Sequence, residues 1–185
     1  MNKIKDIAIT QTGVYLKETP GGEVHYLQVK DFDRNKRSFV SFPSIKMSDI
    51  NKKHLLSEGD LLFAAKGFVN FCAVYGKNQG DAVASSSFLV LKIKDTEKVI
   101  PEYLSWYLNR DDMLLTFRNM TAGNVMPSIS KAMMENLDIS IPSIYVQNQI
   151  IKIAALSDKE GLLLEQIKHK HRELIQKKLI QIINK

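Results

Sequence analysis

The 185 residues suit one domain plus an appendage, and an apolar content of 44% is enough to build a core, which argues against a disordered chain. No apolar run approaches a membrane span, the start Met1-Asn2-Lys3-Ile4-Lys5-Asp6 lacks a signal-peptide core, and the lone Cys72 rules out an internal disulfide framework or a Cys-rich zinc site; a cytoplasmic location is expected. The net charge of +6 favours a polyanionic partner.

Lys3–Ile9 reads as a short strand or turn entering Thr10-Gln11-Thr12-Gly13. Val24–Val29 alternates and suits a strand, whereas Lys30–Arg37 is polar and charged, as in a loop. Phe39–Phe42 is a short strand ended by Pro43. Glu58-Gly59-Asp60 is a turn before the apolar run Leu61–Ala65. Lys66-Gly67 interrupts that run, Phe71–Tyr75 resumes it, and Gly76–Gly80 turns the chain again. Ala82–Ile93 is strand-like, with three serines at its centre. Pro101 opens a helix with Glu102 in its first turn, and Leu104, Tyr107, Leu108 and Leu115 lie on one face of it as far as about Met120. Ser130 caps a short helix over Lys131–Asn136, and Leu137, Ile139 and Ile141 make a strand closed by Pro142. Strands come first and helices after them, so the expected class is α+β: a mixed, strand-rich globular domain over 1–142 and a helix over 143–185.

That final helix, capped by Ser143, is the most distinctive element. Its apolar residues Ile153, Leu156, Leu163, Leu164, Ile167, Leu174, Ile175, Leu179 and Ile182 recur at spacings of three, four and seven. About 40 residues at 1.5 Å rise reach about 60 Å, far more than a small domain needs. Such a stripe must be buried against something: a second copy of itself, or its own domain. Glu160, Lys170, His171 and Lys178 fall near the seam and make it imperfect.

Signs of catalysis are sparse. His25, His54, His169 and His171 lack metal-ligand partners at useful spacing, and no phosphate loop, dinucleotide glycine motif or nucleophile elbow is present. Asp60 and Lys66 flank an apolar run loosely as in a metal-dependent nuclease, but positions 61–65 supply no second carboxylate; Asp60 also fits a turn with Gly59. No catalytic or metal-binding residue is therefore assigned. An Asn/Asp-Pro-Pro-aromatic motif is missing, which counts against a self-contained methyltransferase.

Basic and amide residues gather in loops: Lys30, Arg34, Lys36 and Arg37; Lys66, Gly67 and Asn70; Lys77; and Arg118, Asn124 and Lys131. Lys and Arg neutralise phosphates, and Arg and Asn can make bidentate contacts to base edges. Each cluster alone also fits an ordinary solvated loop. Lys66 could equally snorkel from a strand end, and Asn124 could cap a turn.

Several segments, in order, resemble the specificity subunits of type I restriction–modification systems. They are Ile4-Lys5-Asp6-Ile7-Ala8 with Thr12-Gly13; Tyr26-Leu27-Gln28-Val29-Lys30-Asp31; and Leu56 to Phe63 with Lys66-Gly67. Ile100-Pro101-Glu102-Tyr103-Leu104 with Tyr107-Leu108 follows, then Gly123, Ile129-Ser130-Lys131 and Asn136 to Pro142. Gln147 with Ile150 matches the start of the family's spacer helix, although Val146 stands where the family usually has Glu. Family members contain two recognition domains and two spacer helices; this chain has one of each.

The resemblance implies a non-catalytic subunit whose 1–142 domain reads double-stranded DNA and whose 143–185 helix packs antiparallel on a second helix. It implies docking to modification methyltransferase subunits, which use S-adenosylmethionine, and to restriction subunits driven by ATP with Mg. No cofactor is expected on this chain itself. With a single helix per chain, a homodimer reading a bipartite inverted repeat follows, its half-sites about one 34 Å turn apart. The rival readings are a fragment of a methyltransferase or nuclease sharing this domain, and a coiled-coil interaction protein that binds no DNA.

Overall fold

The three serines of the Ala82–Ile93 segment set the topology. The computed structural model describes residues 2–33, 39–77 and 79–183. In chain order its elements are β1 (Asn2–Lys3), α1 (Ile4–Ile7), β2 (Ala8–Thr12), β3 (Val24–Leu27), β4 (Pro43–Ile45), β5 (Leu61–Ala64), β6 (Cys72–Val74), β7 (Ala82–Ala84), β8 (Phe88–Ile93), α2 (Pro101–Leu108), α3 (Asp111–Met120), α4 (Lys131–Glu135), β9 (Asp138–Ile139) and α5 (Ile144–Ile183). The expected single strand over Ala82–Ile93 is two strands. Ser85–Ser87 makes a turn, closed by Phe88 N–H donating to the Ser85 carbonyl at 2.9 Å, that carries the chain from one sheet to another. β7 pairs parallel with β3 in a sheet of order β4-β3-β7, while β8 is central in an antiparallel sheet of order β2-β8-β5-β6.

β5 is buried on both faces, which is why Leu61–Ala64 shows no polar alternation. Leu62 and Ala64 join a core with Ala73, Phe88 and Val90 of their own sheet and Leu27, Ala82 and Ala84 of the smaller one. On the opposite face the Phe63 ring lies 4.8 Å from Phe117 of α3. The larger sheet is thus sandwiched between the smaller sheet and a helix. The outer face of the smaller sheet, Val24, Tyr26 and Val83, is covered by Val14, Leu16, Met47, Ile50 and Leu55.

Other expectations shift for local reasons. Within Lys3–Ile9, Asp6 accepts from the Lys3 N–H at 2.8 Å, and this closes the helical turn α1 before the strand begins. The strand expected over Phe39–Phe42 is instead β4, starting at Pro43; β4 is an edge strand, where a missing N–H is tolerated. The segment after β3 opens as a 3-10 turn, Val29–Asp31, because Asp31 accepts from Gln28 N–H at 2.7 Å. The helix expected to run from Pro101 to about Met120 is broken at Asn109. The Asn109 amide donates to the Cys72 carbonyl at 2.7 Å and accepts from the Cys72 N–H at 2.9 Å, so it serves the edge of β6 that has no neighbouring strand and caps α2. Leu115, expected on the buried face, is 55% exposed on α3. The strand after α4 is shorter than expected, with β9 pairing antiparallel to β1.

Two caps stand where serine is expected. Ser130 Oγ accepts from Met133 N–H at 3.2 Å, and Ser143 Oγ accepts from Val146 N–H at 3.5 Å. α5 runs for 40 residues. Contacts divide the chain into a unit over Met1–Gln147 and a second over Asn148–Lys185, so the first turn of α5 belongs to the first unit. Among the described residues no helix is long and apolar enough to cross a membrane.

Candidate nucleic-acid interface

Residues 65–70 form the loop joining β5 to β6, and two backbone ladders hold it. Ala64 N–H donates to the Phe71 carbonyl at 2.8 Å, and the Asn70 side chain donates to the Ala64 carbonyl at 2.8 Å. The amide donor of Asn70 is therefore used in closing the loop. On the outer side, Ile129 N–H donates to the Ala65 carbonyl at 2.8 Å, Gly67 N–H donates to the Pro127 carbonyl at 3.0 Å, and Lys66 bridges Ser128 antiparallel. Two loops more than fifty residues apart in sequence thus lie side by side. Gly67 sits at φ +102°, where a side chain is strained, yet a Cβ there would meet nothing within 4 Å. Left-handed backbone, not crowding, selects glycine, and the space beside it is open.

The Lys66 side chain is exposed, with no ion pair among the described residues. Around it stand large apolar side chains in solvent: Phe68 at 78% and Val69 on the same loop, and Val125 at 98% and Met126 on the neighbouring one. A cation beside exposed apolar tips can neutralise a phosphate and press on base edges such as the thymine methyl. Sequence reading missed these four residues. The available signal was large apolar residues beside Gly67 and Pro127, where a buried strand would not run.

The other basic candidates are dispersed. Asn124 and Lys131 flank the neighbouring loop. Asn124 is exposed in a turn, its N–H donating to the Thr121 carbonyl at 3.2 Å after Gly123, and Lys131 lies 3.6 Å from Glu135 on α4. Arg118 is exposed on the last turn of α3. Lys30 is exposed on its own 3-10 turn, and Lys77, on the loop after β6, lies 3.7 Å from Glu58. Arg34, Lys36 and Arg37 lie outside the described residues.

Groups considered for chemistry have structural duties. Asp60, 6% exposed, accepts from Ser57 N–H at 2.9 Å and from Lys92 Nζ at 2.8 Å, so it orders the turn before β5 and pairs with a lysine of β8 rather than with Lys66. Burial pushes the Cys72 thiol up to about 12, so it stays protonated at neutral pH. Burial, then the nearby Lys53 and Lys92, holds His54 below the usual histidine range. Among the described residues, no group of three or more His, Cys, Asp or Glu could hold a metal ion.

Gln147 was legible in sequence only as a motif match. It is fully buried. Its amide donates to the Lys98 and Pro142 carbonyls, each at 2.8 Å, and its carbonyl accepts from Ile100 N–H at 2.9 Å. All its hydrogen-bonding capacity but one lone pair is thereby committed, and the first turn of α5 is fastened to the start of α2.

A sequence profile for the type I restriction modification DNA specificity domain matches residues 1–171. The chain belongs to that family. Solved structures share the fold of this specificity domain. The type I restriction–modification S subunit from M. genitalium superposes with a TM-score of 0.59 at 13% identity, over 85% of this chain and 38% of that one. The HsdS subunit from Thermoanaerobacter tengcongensis gives 0.65 at 16% identity, over 89% and 38%. A chain from a study of complex assembly and conformational transition in the type I R-M system gives 0.68 at 16% identity, over 91% and 40%. This chain therefore spans about two fifths of the length of the solved chains it matches.

Proposed function

We propose that this specificity domain binds double-stranded DNA sequence-specifically, as one half of a two-fold dimer formed through α5, and that the dimer reads a bipartite inverted repeat. The observation carrying the dimer is the stripe on α5: Ile153, Leu156, Ile167 and Leu174 are each at least half exposed, and Leu163 is 48% exposed. A stripe of that size is stable in water once covered, and a two-fold copy covers it with an identical stripe. The family supports the DNA-reading role, and the paired loops around Lys66 offer the surface for it. In this reading the chain is non-catalytic. The dimer docks methyltransferase subunits, which use S-adenosylmethionine, and in the full assembly restriction subunits, which use ATP and Mg.

Duplex binding measured across a salt series tests the DNA-reading role. The logarithm of the affinity should fall linearly with the logarithm of salt concentration. Lys66→Ala should weaken binding on every duplex and reduce the salt slope by about one per bound chain, about two for the dimer, as expected for one lost phosphate contact in each copy. An unchanged slope and affinity would remove Lys66 from the interface. Salt-independent or undetectable duplex binding by the chain, alone and with a methyltransferase subunit, would favour a protein-interaction role instead.

A further inference from the structure

Charged residues that spoil the stripe of α5 carry information about how two copies align. Ile153, Leu156, Glu160, Leu163, Ile167, Lys170 and Leu174 follow one another at alternating spacings of three and four, a heptad seam with two charges in it. Glu160 has no ion pair among the described residues, and Lys170 makes only an exposed intrahelical pair with Glu173, at 3.1 Å.

We propose that two copies pair through Asn148–Ile183 antiparallel, with the two-fold axis at Glu165, so that Glu160 of each copy meets Lys170 of the other. This rests on the dimer reading above, in the antiparallel orientation that the family resemblance implies, and adds its register. With the axis at Glu165 the remaining seam layers are Leu163 against Ile167 and Leu156 against Leu174, apolar on apolar. At the margins Lys159 faces Glu173, a second attractive pair, and Leu164 faces its own copy. Ile153 meets Lys177, whose stem can cover it while the ammonium reaches water.

Alternatives bury charge against the wrong partner. A parallel, in-register pairing sets Glu160 against Glu160 and Lys170 against Lys170. Sliding the antiparallel pair one heptad in one direction puts Glu160 against Leu163 and Lys170 against Ile153; sliding the other way pairs Glu160 with Lys177 but sets Lys170 against Ile167 in the two layers next to the axis. Each leaves like charges together or Lys170 unpaired inside the seam, where they are costly, whereas the favoured register leaves only Lys177 against an apolar partner, near the ends, where its ammonium reaches water. Lys170 gives up its contact with Glu173, but an exposed pair of this kind contributes little. Glu173 keeps His169, 3.2 Å away in the single chain, and gains Lys159.

The test uses the full chain in sedimentation equilibrium. Glu160→Lys and Lys170→Glu should each weaken self-association by roughly 100-fold, because each creates two like-charge contacts. Mixed in equal amounts, the two variants should form a heterodimer, and the double variant carrying both changes should dimerise like the natural chain. Single variants that self-associate as tightly as the natural chain would overturn the register while leaving the dimer standing. A natural chain that stays monomeric, with its helix covered only by a methyltransferase subunit, would overturn both.

Discussion

Ile167→Glu should turn the protein monomeric at micromolar concentration and weaken binding to a two-part DNA site by roughly 100-fold or more. Ile167 is 64% exposed in the single chain and belongs to the second unit, and surface changes of this kind shift stability by only about 0.5 kcal/mol. In the proposed dimer the same substitution acts twice, placing two carboxylates in apolar seam layers, where an uncompensated buried charge costs several kcal/mol. The DNA effect then follows from linkage. Two readers on one duplex make the second contact intramolecular, and losing that raises the apparent Kd by roughly 10²- to 10⁴-fold without touching any DNA contact. Sedimentation, a thermal melt and a binding isotherm on one preparation separate these effects. Lost association, lost affinity and a first unit that still unfolds cooperatively, at a midpoint lowered only by the lost dimer linkage, is the expected triple. Retained dimerisation would show that the stripe is covered in another way.

Gln147→Leu should destabilise the first unit by about 3 to 5 kcal/mol. The side chain is fully buried and makes three hydrogen bonds, to Lys98, Pro142 and Ile100. Leucine fills comparable space but leaves the Ile100 N–H and the two carbonyls without that partner. Each buried group left unsatisfied costs about 1 to 3 kcal/mol, and the terms are not fully additive. Gln147→Glu should be as damaging, since it keeps the acceptor, loses the donors and introduces a buried charge. Urea unfolding of both variants measures this, read as a lower midpoint at unchanged slope. A loss under about 1 kcal/mol would mean that the bonds are replaced by water and that the clamp is not structural.

Local signals in the sequence were legible where local physics decides the outcome. Pro101 at a helix start, Ser130 and Ser143 as caps, the glycine turn before Leu61 and the long periodic stripe all act within a few residues of themselves. The errors lie where distant residues decide. Nothing near Asn109 says that its amide will serve Cys72, thirty-seven residues away, and so break a helix that would otherwise run on. Nothing near Ser85–Ser87 says that the two halves of an apolar run belong to different sheets. The same limit applies to the site. Lys66 stood out because a lysine interrupts an apolar run, but its neighbours from the 125–129 loop arrive through an isolated bridge between remote segments. The charges in the stripe of α5 looked like imperfections because their partners belong to a second copy of the chain in the proposed register.

The most direct test of the central claim is selection of bound sites from a pool of random duplexes, with the purified chain alone and with a methyltransferase subunit of the proposed kind added. Two identical readers joined through α5 should enrich an inverted repeat whose halves are separated by a spacer of fixed length and free sequence, bound by two chains per duplex. Enrichment of one uninterrupted, asymmetric site bound by a single chain would contradict it.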